Sequence, residues 1–362
     1  MSEEFSPDAV AAVVVTYGNR FDYLHKVVAG ILENGIGRTL IVDNASPVEN
    51  RQRIDALCAA HADRVSCLRL PENSGSAGGF GAGMAAAAAM PGVEFVWLFD
   101  DDNRPLPDAF AKLCLAYRYL GSDAHVALVS LRPSRRAYAF AALNGTRLCI
   151  RLGTFMDFSF SEWIKRKIKR AVRRLTPFGR LLPHEMAKNF RAPLLRIELA
   201  PYGGLLFHTR WLSEIGLPDK KLYLYNDDHD FALRLQSAGV RIYLCAESKL
   251  EELEPSWPGP PSRIPLLMRP QTDEMKIYCL IRNRAYIEAR LPQPQWRYGF
   301  NRVSFFLVNI ALALCFGAKW KTVVRRWHLM SAAVRAARLG RFDSDSSGRP
   351  IFPVEGNGKR RT

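Results

Sequence analysis

Short apolar runs alternate with segments of helical periodicity along the N-terminal part of the chain. Four runs rich in apolar and β-branched residues predict buried strands, over residues 9–17, 39–46, 64–70 and 94–102. Between the first two, Leu24, Val27, Val28 and Ile31 recur at helical spacing, and residues 51–62 predict a second helix. This alternation predicts a parallel sheet with right-handed crossovers, whose ligands lie beyond the carboxyl ends of the strands.

The alternation becomes less regular after about residue 135. We expect an antiparallel excursion over residues 135–150, then a basic helix over residues 161–175. A strand, a turn and a short helix are predicted over residues 200–219, and a loop, a helix and a strand over residues 222–245. Proline-rich loops and basic helical segments follow from about residue 255, and the polar tail is expected to be disordered.

Composition and charge narrow the choice of partners. The chain has 362 residues, 48% of them hydrophobic, so an ordinary globular core is expected. Lys and Arg number 51 against 35 Asp and Glu, a net charge of +16, which favours an anionic partner. We do not expect nucleic acid, because the cations concentrate in residues 165–180 and 319–338 without interleaved stacking residues or a recognisable nucleic-acid-binding module.

Cysteine usage and apolar runs bear on the location of the protein. The seven cysteines include no CxxC pair and no Cys–His cluster at zinc spacing, so we expect free thiols in a reducing compartment. The polar N-terminus does not resemble a signal peptide. The longest C-terminal apolar run, residues 305–318, is short for a bilayer span and contains Asn309. We therefore expect a cytoplasmic protein, peripheral on the inner face of the cell membrane.

Three consecutive aspartates, Asp100, Asp101 and Asp102, end the fourth predicted strand. Adjacent like charges raise one another's pKa, so such a cluster is costly unless a cation neutralises it. Mg²⁺ and Mn²⁺ take oxygen ligands and also bind phosphate oxygens, so the triplet predicts a metal that holds a diphosphate. The alternative is a helix N-cap at Asp102 or Asn103, although one cap does not require three carboxylates.

Three further stretches carry candidate chemistry. Residues 73–83 are glycine-rich and suit close approach to a diphosphate, although they lack the lysine of a P-loop and fit a structural turn as well. Asp43 and Asn44 suit hydrogen bonds to a base or ribose, or the chemistry of a turn. Asp227 and Asp228 stand at the start of a predicted helix, where a carboxylate can act as general base or as a cap.

In order and spacing these motifs resemble family 2 glycosyltransferases of the GT-A fold. The resemblance covers roughly residues 10–290 and rests on the stretches VVVTYGNR, IVDNAS, PENSGSAGGFGAG, WLFDDDNRPLPDAF, GGLLF, LYNDDHDFALRLQSAGVRIYL and RNRAYI. It is most similar to the branch that contains galactofuranosyltransferases and related enzymes of cell-surface polysaccharides. It implies an α/β fold, with a Rossmann-like, nucleotide-binding mixed sheet and a basic helical C-terminal extension.

The resemblance also implies a domain organisation and a role for each motif. The implied domains are a catalytic domain over residues 1–255 with a basic helical insertion at about 150–196, a helical membrane- or acceptor-associated region over 256–342, and a tail over 343–362. The implied donor-binding residues are Thr16, Tyr17, Asp43, Asn73, Gly78, Gly79, Asp100 and Asp101. Asp100 and Asp102 would flank Mn²⁺ or Mg²⁺, and Asp228, beside Asp227, would deprotonate the acceptor.

Three features depart from the family pattern. An extra glycine in TYGNR leaves the roles of Asn19 and Arg20 open, and Asn226 replaces the usual aromatic residue before the Asp pair. Many relatives place a metal-binding His after the strand that ends in RIYL, whereas this chain has an acidic stretch there. Glu251 or Glu252 is an alternative oxygen ligand, unless that stretch is simply a solvated loop.

The implied activity is inverting, metal-dependent transfer of a sugar from a nucleotide sugar. We expect a UDP-linked donor, with UDP-galactofuranose as the candidate, and a cell-surface glycan or polyprenyl-linked acceptor. The alternatives are a dTDP-rhamnose-dependent rhamnosyltransferase and a noncatalytic nucleotide-sugar binding protein. A glycosidase would leave the glycine-rich stretch unexplained, and a processive synthase would need membrane spans that the sequence does not predict.

The predicted helix over residues 161–175 offers an explanation of the positive charge. On a helical wheel its apolar residues, Ile164, Ile168, Ala171, Val172 and Leu175, share one arc and seven cations take the remainder. This pattern predicts a helix in the interface of an anionic membrane, with Trp163 at headgroup level. The alternative is a core helix whose basic face lies in water.

Overall fold

The computed structural model describes residues 6–146, 148–175, 193–254, 262–346 and 348–352. The chain divides into two compact units. The sheet unit consists of Met1–Cys149, Asn189–Pro258 and Ser346–Arg349, and the helical unit of Ile150–Lys188, Gly259–Asp345 and Pro350–Thr362. Of the predicted basic insertion, residues 150–175 belong to the helical unit and residues 193–196 to the sheet unit, and residues 176–192 lie outside the described part of the chain.

The sheet contains parallel and antiparallel strands. They are β1 (Val10–Thr16), β2 (Arg38–Asn44), β3 (Val65–Leu70), β4 (Phe95–Asp100), β5 (Asn103–Pro105), β6 (Val126–Leu131), β7 (Leu194–Arg196), β8 (Leu205–His208) and β9 (Arg241–Glu252). The strand order is β3-β2-β1-β4-β8-β6-β9-β5, with β7 also paired to β9. The first four strands in this order are parallel, and β8 runs antiparallel to both β4 and β6.

Helices cover the sheet and form the second unit. They are α1 (Phe21–Glu33), α2 (Val48–Ala60), α3 (Gly75–Ala88), α4 (Ala109–Tyr119), α5 (Arg136–Asn144), α6 (Phe160–Leu175), α7 (Trp211–Ile215), α8 (Asp227–Ser237), α9 (Glu274–Ala289), α10 (Gln295–Cys315) and α11 (Trp320–Leu339). Short 3₁₀ turns occur at Pro7–Ala9, Lys220–Leu222 and Leu266–Met268. Helices α6, α9, α10 and α11 belong to the helical unit.

The register of the parallel strands places polar residues at one edge. Strand β1 is buried along its whole length, as its continuous apolar run predicts. Thr16 pairs with Asp43 of β2, and Val15 pairs with Asp100 of β4. Because β1, β2 and β4 all end at this level, the residues that follow them meet at the carboxyl edge of the sheet.

The glycine-rich stretch is a helix, not the loop that its composition predicts. Gly75 begins α3, and Gly78, Gly79, Gly81 and Gly83 lie within it. A Cβ atom on Gly83 would be 2.5 Å from Val13 Cγ1 and 2.8 Å from Val42 Cγ2. The glycines therefore let α3 pack directly on β1 and β2, and this packing offsets their low helix propensity.

This packing gives a testable difference between two glycines of α3. An alanine Cβ at position 79 would lie 2.7 Å from Val15 Cγ1, whereas at position 81 its nearest neighbour, Pro218 Cδ, is 3.7 Å away. We expect Gly79→Ala to lower the free energy of unfolding by about 1–3 kcal/mol, the usual cost of overpacking a core. The control, Gly81→Ala, should leave stability unchanged or raise it by about 0.5–1 kcal/mol. Equal urea midpoints for both variants would contradict close packing of α3.

Two other sequence expectations differ from the structure. Residues 136–144, predicted within an antiparallel excursion, form α5, whose alanine-rich sequence favours a helix. The alternative that Asp102 or Asn103 caps the next helix is wrong, because α4 begins at Ala109 and Asn103 lies in β5. In the predicted tail, Ser344 forms an isolated bridge with Pro350, and residues 353–362 lie outside the described part of the chain.

The helical unit has its own core and buried polar network. Apolar residues of α9, α10 and α11 pack together, among them Ile277, Ile281, Phe306, Met330 and Ala333. On α9, Arg284 Nε donates to Glu288 Oε1 at 2.6 Å, and its Nη2 donates to Asp157 Oδ1 at 3.0 Å. Asn301 of α10 donates to the Gly153 carbonyl at 2.6 Å and accepts from the Phe160 amide at 2.9 Å.

Helix α10 is longer than the apolar run that predicts it. The apolar run over residues 305–318 by itself is short for a bilayer span, but α10 has 21 residues. Among the described residues it is the one helix that is long and apolar enough to cross a membrane. Length and composition alone do not distinguish a membrane span from a buried helix, since core helices of soluble proteins meet the same criterion.

Candidate active site

The three consecutive aspartates have different surroundings at the carboxyl edge of β4. Asp101 is buried and accepts hydrogen bonds from Thr16 Oγ1 at 2.8 Å and Arg20 Nε at 2.7 Å. Asp102 accepts from the Asn103 side-chain amide and from Arg20 Nη2, the latter at 3.2 Å. The Asp100 side chain is 45% exposed, and its Oδ2 lies 3.7 Å from Arg132 Nη1. The buried Asp101 carboxylate therefore bonds to other parts of the protein, whereas the Asp100 carboxylate is partly exposed to solvent.

The electrostatics of this cluster favour a bound cation. Desolvation raises the pKa of Asp101 to about 6, against the lowering effect of Arg20. Desolvation and the charges of Asp100 and Asp101 raise the pKa of Asp102 to about 7. Desolvation also raises the pKa of Asp100, which Arg132 lowers and the charge of Asp228 raises. The ionised forms of these carboxylates are therefore disfavoured without a further cation beside them.

Arg20 is a site residue whose role the sequence left open. Its guanidinium contacts Asp101, Asp102 and Glu254, and it lies over the rings of Tyr17 and Tyr23 at 5.4 Å and 5.2 Å. Burial lowers the pKa of Arg20, but the adjacent carboxylates outweigh this effect and raise it. The signal was the arginine of the TYGNR motif, but nothing in the sequence connected it to Glu254.

The second acidic cluster lies at the start of α8. Asp227 is buried, and its Oδ2 accepts a hydrogen bond from Ser76 Oγ of α3 at 2.6 Å. Burial and then the charge of Asp228 raise the pKa of Asp227 well above its usual range. Asp228 is half-buried, and its Oδ1 accepts from the His229 amide at 2.8 Å. Asp227 thus ties α8 to α3, and Asp228 is the more accessible of the two carboxylates.

The backbone before α8 is held in an uncommon conformation. Tyr223, Tyr225 and Asn226 have φ angles of 59°, 65° and 60°, in the left-handed region that non-glycine residues seldom adopt. The Tyr223 carbonyl accepts from the Ala77 amide at 3.2 Å, and a Cβ on Gly75 would lie 2.2 Å from that carbonyl oxygen. Backbone strain of this kind persists where packing imposes it, and it often accompanies function. Here it fixes the position of Asp227 and Asp228 beside α3.

The predicted donor-binding residues follow their strands to this edge, but several also have local contacts. Asp43 is buried, and its Oδ1 accepts from the Ser46 amide at 2.8 Å, as the turn alternative predicts. Asn73 Oδ1 accepts from the Gly75 amide at 3.0 Å. Gly78 and Gly79 are buried in α3, where a Cβ would collide with Ser74 and Val15 respectively. Tyr17 is about half exposed, so its ring is accessible to a ligand.

The acidic stretch at the end of β9 gives Glu252 protein partners. Its Oε1 lies 3.0 Å from Arg135 Nη2, and its Oε2 accepts from Ser134 Oγ at 2.5 Å. Its backbone pairs with Asn103, and that of Glu251 pairs with Arg104. Both carboxylate oxygens of Glu252 therefore have protein partners and support residues 134–135, and a role for Glu252 as a metal ligand stays a prediction.

Two residues of the stretch before β8 complete the site, and the sequence did not single out either one. A Cβ on Gly203 would lie 2.2 Å from Asn103 Oδ1 and 2.9 Å from Asp100 Oδ2, so only glycine fits here without a shift. Tyr202 is buried, and within the described residues its hydroxyl has no hydrogen-bond partner. Burial and the charges of Asp227 and Asp228 raise the pKa of Tyr202. The double glycine of GGLLF was the available signal.

Comparison with known families decides the identity of the chain. Residues 7–260 match the family described as "Glycosyltransferase like family 2". The chain belongs to this family. Its fold, with the carboxyl edge of the sheet assembled from β1, β2 and β4, agrees with that assignment, so it is a glycosyltransferase enzyme, as the resemblance of its motifs predicted.

Named relatives cover most of this glycosyltransferase. It is 27% identical over 323 residues to galactofuranosyltransferase GlfT1 of Mycolicibacterium smegmatis, an alignment that covers 83% of this chain and 91% of the relative. It is 28% identical over 317 residues to galactofuranosyltransferase GlfT1 of Mycobacterium tuberculosis, covering 83% and 90% of the two chains.

A solved structure confirms the predicted GT-A fold class. Mannosyltransferase PcManGT from Pyrobaculum calidifontis, in complex with GDP-Man and Mn²⁺, superposes with a TM-score of 0.51. The similarity covers 94% of this glycosyltransferase and 88% of the mannosyltransferase at 14% sequence identity. At that identity the comparison bears on the fold alone.

The carboxylates of this glycosyltransferase fit a divalent cation, although the side chains are not arranged as a complete site. Within the described residues, no group of three or more His, Cys, Asp and Glu side chains has the geometry of a metal centre. A carboxylate offers about four lone-pair positions, and Asp102 uses two of them for Asn103 and Arg20. Asp100 and Asp102 therefore have carboxylate lone pairs available for a divalent cation that prefers oxygen ligands.

Proposed function

We propose that this glycosyltransferase moves a sugar from a nucleotide sugar to a hydroxyl group of a glycan acceptor, with inversion at the anomeric carbon. The observation that carries the proposal is the proximity of two acidic clusters that are far apart in sequence. Gly203 lies against Asp100, and its neighbour Tyr202 packs on Phe231 of α8 with ring centroids 6.0 Å apart, so the two clusters meet although β5–β8 and α4–α7 lie between them along the chain. The charge of Asp228 accordingly raises the pKa of Asp100. Asp100 adjoins the donor edge of the sheet, and Asp228 lies where an acceptor hydroxyl can approach it.

Asp228 is proposed as the general base of a single displacement. Its carboxylate takes the proton of the acceptor hydroxyl as that oxygen forms a bond to the anomeric carbon. The bond from the same carbon to the diphosphate oxygen breaks, and the nucleoside diphosphate leaves with the electron pair. Asp227, fixed by Ser76, positions the start of α8 so that Asp228 faces the reacting hydroxyl.

Asp100 and Asp102 are the residues proposed to hold Mn²⁺ or Mg²⁺. When bound, such an ion supplies Lewis-acid stabilisation of the leaving diphosphate. Arg20 donates hydrogen bonds to the Asp101 and Asp102 carboxylates and holds them in place at the proposed donor site. Thr16, at the end of β1, donates a further hydrogen bond to Asp101. Asp43 and Tyr17 are proposed to contact the nucleobase and ribose at the same edge.

UDP-galactofuranose is the proposed donor. The support is the pair of relatives named galactofuranosyltransferase, each aligned over 83% of this chain. A dTDP-rhamnose donor is the second candidate, because a rhamnosyltransferase would bind its donor at the same carboxyl edge of the sheet and use the same general base, Asp228. The proposed acceptor is a polyprenyl-linked or cell-surface glycan, and the net charge of +16 supports action at the anionic inner face of the cell membrane.

A thermal-shift screen of nucleotide sugars tests the proposal. A ligand that binds only the native state raises the melting temperature, and a hundredfold excess over its Kd is worth about 2.7 kcal/mol. We expect UDP-galactofuranose to raise the melting temperature more in Mn²⁺ than in EDTA, and more than GDP-mannose or dTDP-rhamnose does. No shift with any nucleotide sugar would contradict the proposal. A shift without transfer to any membrane glycan would favour a noncatalytic binding protein.

A further inference from the structure

Helix α10 carries a continuous stripe of exposed apolar side chains. The stripe consists of Trp296, Phe300, Val303, Leu307 and Leu314, whose exposed fractions run from 40% to 77%. Their spacing places them within an arc of about 60° on one face of the helix, over a length of about 27 Å. Single exposed apolar residues are ordinary, but an aligned series of this length marks an interaction surface.

Helix α6 extends the same apolar surface. Phe160, at its first position, contacts Phe300 of the stripe edge to face, with ring centroids 5.8 Å apart. Ile164 and Ile168 follow Phe160 at intervals of four residues, so they lie on the same face of α6. Both are exposed, and Ile168 is 58% exposed. The stripe together with Phe160, Ile164 and Ile168 is called the α6–α10 face below.

Positive charge borders the α6–α10 face. Lys165, Arg166, Lys167 and Lys169 are all exposed on α6, and Lys319 and Lys321 are exposed just beyond the end of α10. Helix α10 contains no acidic residue. On the described part of α6 the one acidic residue is Glu162, which pairs with Lys165 at 3.2 Å. The face is thus an apolar strip with a cationic margin.

We propose that the α6–α10 face docks into the interfacial layer of an anionic lipid bilayer, with α10 lying in the plane of the membrane. Apolar side chains on such a helix enter the boundary between headgroups and acyl chains, and each nearby cation adds attraction to anionic lipids. Trp296, at the start of the stripe, and Trp320, the first residue of α11, are both largely exposed and suit the headgroup level. A second copy of this chain is disfavoured as the occupant, because its own cations would oppose these.

The packing of α10 favours docking in the plane over crossing the membrane. Tyr298, Asn301, Phe306 and Ala313 are buried against the rest of the helical unit. Asn301 holds the Gly153 carbonyl and the Phe160 amide through its side chain. A spanning α10 would break these hydrogen bonds and leave their polar groups in hydrocarbon, which costs several kcal/mol for each.

The sequence places the main membrane contact on α6 and a second contact on the apolar run over residues 305–318, whereas in the structure α10 carries the longer exposed apolar stripe. Trp163 is half-buried rather than presented to headgroups, since it stacks with Phe160 at 6.0 Å and lies under Lys167 Nζ at 5.4 Å. The remaining residues of the predicted apolar arc, Ala171, Val172 and Leu175, have side chains outside the described set. The inference does not depend on the proposed sugar transfer.

Co-sedimentation of the full-length protein with vesicles tests the proposal. Vesicles of equal parts phosphatidylglycerol and phosphatidylcholine should bind the protein at low salt, and phosphatidylcholine vesicles should bind it about tenfold more weakly or less. The double variant Phe300→Ser, Leu307→Ser should lose about tenfold or more in binding to the anionic vesicles. The double variant Lys165→Glu, Lys169→Glu should lose a similar factor in binding to the anionic vesicles. High salt should weaken its remaining binding less than it weakens that of the wild type, because fewer charge interactions are left to screen.

Matched controls keep the result specific to this face. Val48→Ser with Tyr119→Ser removes apolar residues of the sheet unit that are more exposed than Phe300 and Leu307, and Lys26→Glu with Arg118→Glu reverses two exposed cations there. Both controls should bind vesicles like the wild type, and circular dichroism should show all four variants folded. Equal binding by the Phe300 and Leu307 double variant would overturn the proposal. The proposal would also be overturned if the wild type dimerised without binding vesicles and this double variant abolished the dimer. Retention of the wild type on vesicles after alkaline carbonate extraction would contradict docking in the plane, because it would indicate a helix that crosses the membrane.

Discussion

Asp228→Asn should lower the rate of sugar transfer by roughly 10²–10⁴ while the affinity for the nucleotide sugar stays within about twofold. The amide keeps the size of the side chain and can still accept from the His229 amide, so the start of α8 should hold its position. It cannot take a proton from the acceptor hydroxyl. Donor binding, measured by thermal shift, and turnover, measured by release of nucleoside diphosphate, should therefore separate in this variant.

Asp230→Asn is the matched control for the general base. Asp230 lies two residues further along α8, and its carboxylate pairs with Arg234 at 2.9 Å within the helix. Its replacement should cost about 0.3–0.5 kcal/mol of stability, typical of an i,i+4 pair, and leave turnover near that of the wild type. If Asp228→Asn keeps near-normal turnover, or if both variants lose turnover equally, Asp228 is not the base.

Asp102→Ala should abolish the stimulation of transfer by Mn²⁺. The loss should be about 10³-fold, because the Lewis-acid contribution is worth several kcal/mol and about 1.4 kcal/mol is tenfold in rate. Binding of Mn²⁺ itself, followed by the decrease of its free electron paramagnetic resonance signal, should weaken in the same variant. The fold should persist, since Asp102 stands at the edge of the sheet and Asp101 keeps its contacts with Thr16 and Arg20.

Asp63→Ala, at an exposed position remote from the three aspartates in sequence, is the control for charge removal. It should bind Mn²⁺ and respond to it like the wild type. EDTA should reduce the wild-type rate to the level of Asp102→Ala. Full activity in EDTA, or unchanged Mn²⁺ binding by Asp102→Ala, would exclude a metal held by this carboxylate.

The carboxyl edge of the sheet could be predicted because it depends on local patterns. A continuous apolar run marks β1 as buried on both faces, and each neighbouring strand ends where polar residues begin. Parallel pairing then brings Thr16, Asp43 and Asp100 to one level without further information. The strand ends alone place these candidate residues together.

The remaining features depend on contacts between distant residues. Glycines in residues 73–83 look like a loop because glycine disfavours helices, and only the packing of Gly83 on Val13 and Val42 explains a helix. Arg20 and Glu254 are 234 positions apart, and no periodicity connects them. Exposure of the α10 stripe likewise depends on which face of the helix its neighbours cover.

The most direct test of the central claim is transfer of radiolabelled sugar from UDP-galactofuranose into the lipid-extractable glycans of membranes from the source organism. We expect label in that fraction with wild-type protein and Mn²⁺. With EDTA or with Asp228→Asn we expect at least a hundredfold less label, consistent with the usual contribution of a general base. The same transfer in EDTA or with Asp228→Asn, or no transfer from this or any other nucleotide sugar, would contradict the central claim.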